Sequence, residues 1–267
     1  MRTQELAGPN PVLMVLPAHD EEGTVGDVVR RAPLDVHGHP VEVVVIDDGS
    51  RDRTAAEARA AGATVVSLGR NRGLGAAVRA GVAWAVERRP AAVAFLDADG
   101  EYAPEELATL VAPILEGRAD YVIGSRFAGL PRDMRPHRWF GNRVLTLAMK
   151  LLVRRWGVRR LSDGQSGYRA LSPAAAAHAE IIHDFNYAQV LTLDLVAKGY
   201  RYAEVPISYR FRQHGQSFVR LGPYLRRVAP AVWRELRTVS AVGDEGSLAD
   251  TAGDRSPVLV ADASSST

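Results

Sequence analysis

The chain has 267 residues, 46% hydrophobic and 24% charged, which is long enough for one domain with a buried core. It contains no cysteine, and this excludes disulfide bonds, cysteine-based zinc sites and thiol catalysis. The net charge of +2 is unevenly spread: residues 1–125 carry −7, residues 126–237 carry +13 and residues 238–267 carry −4. An acidic half suited to a metal ion is thus followed by a basic half suited to phosphates, nucleic acid or lipid headgroups.

Membrane contact, if it occurs, is expected to be peripheral. No apolar run approaches the ~18 residues of a membrane span, and residues 1–11 lack the apolar core of a signal peptide. We therefore expect a cytoplasmic protein at the inner face of the cell membrane, bound there directly or through a membrane-anchored partner.

The first 125 residues alternate between short apolar runs, which predict strands, and longer segments that predict helices. The predicted strands are 12–16, 41–46, 64–67, 93–96 and 120–124. The predicted helices are 24–31, 52–61, 76–87 and 104–116. This alternation predicts an α/β domain with a mostly parallel central sheet flanked by helices.

The second half loses this alternation. Its predicted elements are basic amphipathic helices at 139–156 and 221–239, a helix at 185–198, a polar loop at 162–170 and a strand-like segment at 200–209. A basic amphipathic helix is more often a core-facing helix with solvated arginines, and the alternative is a helix on an anionic membrane surface. From residue 243 onward, Ser, Ala, Asp and Gly dominate and predict a disordered tail.

Polar residues follow three predicted strands, after Leu16, Ile46 and Leu96. Ligands of open α/β sheets bind outside the carboxyl ends of the strands. Asp97 and Asp99 follow the fourth strand and would share one side of a continuing extended backbone. Their carboxylates suit Mg2+ or Mn2+ held together with a substrate's phosphates, whereas the plainer interpretation is an acidic turn.

Seven segments occur in a fixed order: LPAHDEEGTV, VVVIDDGSRDRT, NRGLGAAVRAG, FLDADGEYAPE, VIGSRF, LSDGQSGYRA and VPISYRFRQHGQS. Together they resemble the inverting family 2 glycosyltransferases of GT-A fold, and above all the polyprenyl-phosphate (dolichol-phosphate) mannosyl- and glucosyltransferases. The resemblance implies a GT-A domain over residues 11–240. Residues 11–125 would bind the nucleotide sugar and residues 126–240 the acceptor, with an extension at 1–10 and a tail at 241–267.

The resemblance assigns donor binding to the first half. Asp47 matches the carboxylate that accepts hydrogen bonds from the nucleobase, and Gly73 and Gly75 let the backbone approach the donor because glycine lacks a Cβ. The implied nucleotide-sugar-binding residues are Pro17, Ala18, Glu21, Asp47, Asp48, Ser50, Gly73, Arg79, Asp97, Ala98 and Arg126.

The resemblance also implies metal, catalytic and acceptor residues. Asp97, Asp99 and Glu101 would ligate Mg2+ or Mn2+, with Asp99 the direct ligand and Glu101 replacing the glutamine frequent in relatives. The implied catalytic residues are Asp99, Asp163 and Arg212. The implied acceptor residues are Gln165, Tyr168, Arg169 and Ser217. Phe218 stands where relatives usually have lysine.

The implied reaction is one in-line displacement at the anomeric carbon. A polyprenyl phosphate oxygen attacks, the nucleoside diphosphate leaves, and the configuration inverts. The implied donor is GDP-mannose first and UDP-glucose next. A hydroxyl acceptor would need a carboxylate as general base, whereas a phosphate monoester is already anionic near neutral pH. The helix at 139–156 would offer apolar side chains to the isoprenoid and arginines to headgroups at the membrane surface.

Other functions fit less well. A family 2 transferase with another donor and a soluble or polysaccharide acceptor would share the donor motifs. A catalytically inactive nucleotide-sugar-binding protein is disfavoured by the intact Asp97, Asp99 and Arg212. Nucleic-acid binding is disfavoured because 31 arginines accompany only two lysines, which indicates a compositional bias. An NAD-dependent enzyme should carry a glycine-rich fingerprint after its first strand, where this chain reads PAHDEEG.

Overall fold

An eight-stranded mixed sheet forms the centre of the computed structural model, which describes residues 8–128, 136–181 and 187–210. The strands are β1 (Val12–Ala18), β2 (Asp35–Val36), β3 (His39–Asp47), β4 (Thr64–Ser67), β5 (Ala92–Phe95), β6 (Tyr121–Ser125), β7 (Arg169–Leu171) and β8 (Tyr202–Pro206). The sequence of β1 is apolar throughout and all its residues are buried, as expected for a strand covered on both faces.

Helices cover both faces of the sheet. They are α1 (Val25–Arg31), α2 (Thr54–Ala60), α3 (Leu74–Arg88), α4 (Leu107–Leu115), α5 (Pro136–Val153), α6 (Pro173–His178) and α7 (Tyr187–Ala197). Short 3-10 turns precede α4 and follow α5. One core contains apolar residues of α1, α2 and α4, and the opposite core contains those of α3, α5, α6 and α7.

The strand order is β3–β1–β5–β7–β6–β8, with β2 and β4 both pairing with β3. β1 pairs in parallel with β3 and β5, β3 with β4, and β6 with β8. β7 lies between β5 and β6 and is antiparallel to both. Apart from β2 and β7, the strands therefore point the same way, and their carboxyl ends share one edge of the sheet.

The close contact between α3 and β1 depends on a glycine. A Cβ built on Gly81 would lie 2.5 Å from Cγ1 of Val15 and 3.2 Å from the ring of Phe95. Only a residue without a side chain lets the helix approach the sheet this closely. The glycine thereby lets the middle of α3 pack closely against β1 and against the end of β5.

The predicted α/β architecture with a mostly parallel, helix-flanked sheet is confirmed. Three details differ. The predicted polar loop at 162–170 ends in β7, whose three residues are all buried. β2 and α6 were not predicted, because two residues and an alanine-rich segment carry little periodic signal. The strand-like segment at 200–209 forms regular structure only over β8, and Tyr209 makes an isolated bridge to Tyr102.

Several predictions lie outside the described residues: Arg212, Ser217, the helix at 221–239, the tail at 241–267 and residues 1–7 of the extension. The division of the domain into a donor half and an acceptor half stays a prediction. Within the ranges that the structure describes, no helix combines the length and the apolar content that crossing a membrane requires.

Candidate active site at the carboxyl edge of the sheet

The shared edge collects the loops that carry the predicted site residues. β1, β3, β4, β5, β6 and β8 all end there, and antiparallel β7 begins there. The edge therefore brings together segments that are far apart in sequence, including the predicted donor loops and the loop at 162–168. Pro17 and Ala18, predicted to lie in the first loop, are instead the last two residues of β1 and are buried.

Side chains of the loop after β3 and of the first turn of α2 hold the loop after β1. Four consecutive backbone N–H groups of the loop after β1 each donate a hydrogen bond to a different side chain. The hydrogen bonds run from Asp20 to Ser50 Oγ (3.1 Å), from Glu21 to Thr54 Oγ1 (2.8 Å), from Glu22 to Asp52 Oδ2 (3.1 Å) and from Gly23 to Glu57 Oε2 (2.7 Å). The predicted donor residues Glu21 and Ser50 thus belong to one hydrogen-bonded unit.

Asp47 closes the loop at the end of β3. Its carboxylate accepts the backbone N–H of Ser50 at 2.9 Å and the hydroxyl of Ser67 at 3.0 Å. The side chain is almost fully buried. Since each carboxylate oxygen can accept a further hydrogen bond, these contacts leave acceptor capacity for the predicted nucleobase.

Asp48 holds the turn that leads into α3. Its two oxygens accept the backbone N–H groups of Arg72 at 2.7 Å and Gly73 at 2.8 Å. Gly49 packs under the same turn with φ of +69°, and a Cβ on it would clash with the backbone of Arg70. The donor-pocket role of Asp48 stays a prediction; in the structure its carboxylate fixes the neighbouring turn.

A basic cleft of about 530 Å³ opens between the loop after β4 and α3. Its lining residues are Leu68, Arg70, Asn71, Arg72, Ala76, Arg79 and Ala80. Arg79 Nη1 donates to the carbonyl oxygen of Ile181 at 2.9 Å, so this guanidinium also ties α3 to the segment before α7. Three arginines beside the donor loops favour an anionic ligand.

The chain turns sharply after β5. Ala98 and Asp99 form a turn, and Asp99 Oδ1 accepts the backbone N–H of Glu101 at 3.0 Å. The expectation that Asp97 and Asp99 share one side of an extended backbone is therefore wrong for this local geometry, because the strand ends at Phe95. Both aspartates nevertheless stay at the carboxyl edge of the sheet.

Negative charge accumulates around Asp97. Burial and the carboxylates of Glu101 and Glu21 raise the pKa of Asp97 to about 6, although Arg126 acts in the opposite direction. Glu101 is buried and accepts the hydroxyl of Tyr209 at 2.9 Å. An excess of carboxylates in a poorly solvated place is the chemistry that Mg2+ or Mn2+ matches.

The described side chains do not by themselves form a complete ligand set for a metal ion. In the described ranges, no three or more His, Cys, Asp or Glu side chains are grouped to hold a metal ion. Asp97 and Asp99 therefore fit a cation that takes further ligands from a bound substrate, as Mg2+ commonly does with phosphates. The metal-ligand assignment of Asp97, Asp99 and Glu101 stays a prediction.

Arg126 and Asp163 form a buried ion pair. Arg126 Nε donates to Asp163 Oδ2 at 2.7 Å and Nη2 donates to Oδ1 at 2.9 Å, while both side chains are almost completely buried. Burial acts against the charge of Arg126, yet Tyr102 and Asp163 outweigh it and raise its pKa. Gln165 donates its backbone N–H to Asp163 Oδ1 at 3.1 Å. Sequence reasoning gave Arg126 and Asp163 separate roles, and the structure joins them.

The side chains of Tyr168 and Arg169 are buried and form hydrogen bonds within the protein. Tyr168 is fully buried and donates to the carbonyl of Pro104 at 3.5 Å. Arg169 is also fully buried, and it donates to the carbonyls of Ser166 at 2.6 Å and Gly164 at 3.1 Å. The hydrogen bonds of Arg169 hold the backbone of the loop at 162–168 from its buried side. Of the acceptor residues predicted in this loop, Gln165 keeps partial exposure.

Gly167 joins this loop to Asp97. Its N–H donates to the hydroxyl of Tyr102 at 2.8 Å, and its carbonyl accepts the hydroxyl of Tyr187 at 3.4 Å. A Cβ on Gly167 would clash with the Asp97 carboxylate. The predicted acceptor loop therefore packs directly against a predicted metal ligand.

Glu204 in β8 was not identified from the sequence, although it binds the predicted acceptor loop. Its carboxylate accepts the backbone N–H groups of Ser162 at 2.8 Å and Asp163 at 3.2 Å. The one signal in the sequence is that Glu204 is an acid between the apolar residues Ala203 and Val205 of the strand-like segment; its partners in the loop are visible only in the folded structure.

Comparisons with known proteins agree with this geometry. Residues 14–170 match the family model described as glycosyl transferase family 2. Polyprenol monophosphomannose synthase of Mycolicibacterium smegmatis is 30% identical over 218 residues, which cover 77% of this chain and 79% of that protein. UDP-N-acetylglucosamine–dolichyl-phosphate N-acetylglucosaminyltransferase of Methanococcus voltae is 26% identical over 181 residues, covering 61% of this chain and 70% of that protein.

A solved structure extends the agreement to the fold. Glucosyl-3-phosphoglycerate synthase from Mycobacterium tuberculosis, in complex with Mn2+, UDP and glucosyl-3-phosphoglycerate, matches with a TM-score of 0.68 and 25% identity. The match covers 85% of this chain and 80% of that chain. The predicted GT-A fold is confirmed. Because the family model spans more than half of its residues, the chain belongs to glycosyl transferase family 2.

Proposed function

We propose that this protein is a metal-dependent inverting hexosyltransferase that transfers the sugar of a nucleoside diphosphate sugar to a polyprenyl phosphate. The observation that carries the proposal is the buried Arg126–Asp163 pair. A hydroxyl acceptor needs a base to remove its proton, but Asp163 is fully buried and both of its oxygens bind Arg126. A phosphate monoester needs no such base near neutral pH, so this site suits a phosphate acceptor.

The residues then take the following roles. Asp163 orients Arg126, whose guanidinium contributes positive charge near the reacting phosphates. Asp97 and Asp99 would hold Mg2+ or Mn2+ together with donor phosphate oxygens. The bound cation would supply Lewis-acid stabilisation to the departing diphosphate. The complex of the mycobacterial synthase with Mn2+ and UDP supports a divalent cation and a nucleotide donor.

The donor sugar is open to direct test. GDP-mannose is our first candidate, because polyprenol monophosphomannose synthase is among the relatives. UDP-glucose is the next, because the structural neighbour is a glucosyl-3-phosphoglycerate synthase bound to UDP. The relatives share a lipid phosphate in their names while their sugars differ, which supports the acceptor class more strongly than the sugar.

Helix α5 supports an acceptor at a membrane surface. Val144, Leu147 and Leu151 are 50%, 59% and 61% exposed and occur at the spacing of one helical face; we call them the α5 stripe. Arg154 and Arg155 follow directly and are exposed. We propose that the α5 stripe rests on the anionic inner face of the cell membrane and accompanies the isoprenoid, while the arginines meet headgroups.

A second candidate is transfer from UDP-glucose to a small phosphorylated acceptor. The structural neighbour and the basic cleft beside α3 favour it. Such an acceptor would react through a hydroxyl group and would need a base other than the buried Asp163. This requirement makes it the weaker of the two candidates.

The test is transfer of radiolabelled sugar from GDP-mannose or UDP-glucose to a short polyprenyl phosphate, with Mg2+, Mn2+ or EDTA. We expect organic-extractable label that EDTA abolishes and that Asp99→Ala reduces by at least about a hundredfold, because a lost ligand weakens charge stabilisation. Asp35→Ala is the control, since Asp35 is an exposed aspartate in β2. Label on phosphoglycerate but not on lipid would favour the second candidate, and no transfer with either donor would refute both.

A further inference from the structure

Glu204 is an acidic residue at a strand position where the pairing of β8 with β6 would be satisfied by an apolar residue as well. It lies in β8, opposite Ile123 of β6 in a parallel ladder of five residue pairs. Its neighbours in the strand, Ala203 and Val205, are buried apolar residues. The ladder fixes the position of β8 through backbone hydrogen bonds, so the pairing does not require a carboxylate at this position.

Burying a carboxylate carries a free-energy cost that hydrogen bonds must offset. Burial raises the pKa of Glu204, and the backbone hydrogen bonds from Ser162 and Asp163 act in the opposite direction. Ser162 N–H contacts both oxygens, at 2.8 and 3.0 Å, and Asp163 N–H contacts Oε1 at 3.2 Å. The carboxylate thus binds two successive backbone donors of the predicted acceptor loop.

These contacts lead directly to the Arg126 guanidinium. Glu204 fixes the backbone of Asp163, and the side chain of Asp163 binds Nε and Nη2 of Arg126. A hydrogen bond of 2.6 Å between the hydroxyls of Ser125 and Ser162 joins the same two segments. Three regions of the chain, at 125–126, 162–165 and 204, therefore form one polar unit at the carboxyl ends of β6 and β8.

We propose that Glu204 is a positioning residue, which holds the Ser162–Asp163 backbone so that Arg126 is presented to the acceptor phosphate. This inference rests on the proposed function, and it assigns Arg126, which the resemblance placed among the nucleotide-sugar-binding residues, to the acceptor phosphate instead. In this role Glu204 acts through the Ser162 and Asp163 backbone and not by contacting donor or acceptor. Its loss should weaken acceptor binding and leave donor binding intact.

Two variants test the proposal. Glu204→Gln keeps the size of the side chain and removes its charge. With the amide oxygen at the Oε1 position, one acceptor remains for both N–H groups, but an NH2 group replaces the second acceptor, which lies 3.0 Å from the Ser162 N–H. Glu204→Asp keeps the charge and retracts it by one methylene. The control is Asp194→Asn, because Asp194 is a buried carboxylate that, like the partly buried Glu204, accepts a backbone N–H, from Glu180 at 3.0 Å, on a different segment; Asp194 also pairs with Lys198 at 2.7 Å.

Two measurements are made on the full chain. Hydrogen–deuterium exchange reports the protection of the Ser162 and Asp163 amides, and steady-state kinetics report KM for nucleotide sugar and for polyprenyl phosphate separately. For Glu204→Gln we expect about tenfold faster exchange at these amides and about tenfold higher KM for the acceptor, in line with the loss of one charge-assisted hydrogen bond. The donor KM should stay within about twofold of wild type. Asp194→Asn should change neither the loop exchange nor the acceptor KM.

Unchanged exchange at residues 162 and 163 in both Glu204 variants would overturn the inference. Faster exchange with an unchanged acceptor KM would overturn it as well, because the loop would then be held for stability alone. If the wild-type protein transfers no sugar to lipid phosphate, the proposed function fails, and direct titration with inorganic phosphate then decides: tenfold weaker binding to Glu204→Gln than to Asp194→Asn supports the positioning role, and equal binding overturns it.

Discussion

At the scale of single residues, the site depends on a glycine that lets two loops touch. Gly167 is held by hydroxyls of Tyr102 and Tyr187 on either side, and it packs against Asp97 without a side chain between them. Both tyrosines hydrogen-bond to the backbone of Gly167, so the loop cannot shift away without losing these contacts. The position of the Asp97 carboxylate is consequently coupled to the predicted acceptor loop.

Gly167→Ala should therefore inactivate the protein more than it unfolds it. The new methyl group clashes with the Asp97 carboxylate, and overpacking of this kind costs about 1–3 kcal/mol. We expect at least about a tenfold loss of transfer rate, because Asp97 must move. Gly164→Ala is the matched control in the same loop, since its Cβ would meet Met149 Cγ at 3.5 Å, an ordinary contact. Equal transfer rates for the two variants would contradict the prediction.

The buried ion pair gives a second prediction at this scale. Asp163→Asn removes the charge that compensates Arg126 in a place with almost no solvent. Leaving a buried charge without its partner costs about 3–5 kcal/mol, and the amide's remaining hydrogen bonds should keep the loss near the lower bound. Urea unfolding at pH 7 measures it. A loss below about 1 kcal/mol would show that the pair is solvated in solution.

At the scale of secondary structure elements, an exposed pair fastens the beginnings of β6 and β8. Arg201 Nε and Nη2 donate to Asp120 at 2.8 and 3.0 Å, and the Arg201 backbone N–H donates to the same carboxylate at 3.1 Å. These bonds hold the pKa of Asp120 below its usual value of 3.8. A group with a lowered folded-state pKa stabilises the protein above its unfolded-state pKa and loses this contribution on acidification.

Asp120→Asn should accordingly cost stability in a pH-dependent way. Because the Arg201 side chain is more than half exposed, we expect a loss of about 1 kcal/mol or less at pH 7. The difference from wild type should hold down to about pH 5 and shrink as pH falls through the unfolded-state and then the folded-state pKa. Urea unfolding at several pH values measures this, with Asp27→Asn, from the exposed Asp27–Arg31 pair, as the control. A loss that is independent of pH would refute the assigned electrostatic cause.

Elements with strong periodicity were predictable, and those that depend on tertiary contacts were not. The apolar runs of β1, β3 and β5 and the helical pattern of α3 all form regular structure near their predicted bounds. β7 could not be predicted, because it begins with Arg169, a residue typical of surfaces, whose charge is accommodated by carbonyls of the preceding loop and of Ala188 and by hydroxyls of Tyr121 and Thr192. Three residues between two antiparallel neighbours carry no detectable period of their own.

At the scale of the whole molecule, the sequence identified the edge of the sheet but not how its residues pair. Asp97, Asp99, Arg126 and Asp163 were found through motifs, and all lie at this edge. The partners were hidden because their contacts join distant positions, as between Tyr209 and Glu101, 108 residues apart. Glu204 was missed for the same reason, since only the folded sheet brings β8 under the loop at 162–165.

The distribution of exposed apolar side chains gives a prediction about the whole molecule. If the α5 stripe rests on a membrane, Leu147→Glu and Leu151→Glu should each weaken binding to vesicles that contain anionic lipid. Burying one leucine side chain contributes about 1.5–3 kcal/mol, so each variant should bind at least about tenfold more weakly. Folding should be unaffected, because both leucines are more than half exposed. Co-sedimentation with the full chain measures the binding.

Leu34→Glu is the control that distinguishes vesicle binding by the α5 stripe from vesicle binding by any exposed leucine. Leu34 is 89% exposed, which makes it more accessible than any residue of the α5 stripe, yet it lies just before β2, a strand at one end of the sheet, and not on α5. We expect this variant to bind vesicles like wild type and to lose binding in the same way at high salt, since the arginines after α5 act through screened attraction. Equal weakening by Leu34→Glu and Leu147→Glu would mean that α5 is not the face that meets the lipid, and the basic cleft beside α3 would become the next surface to test.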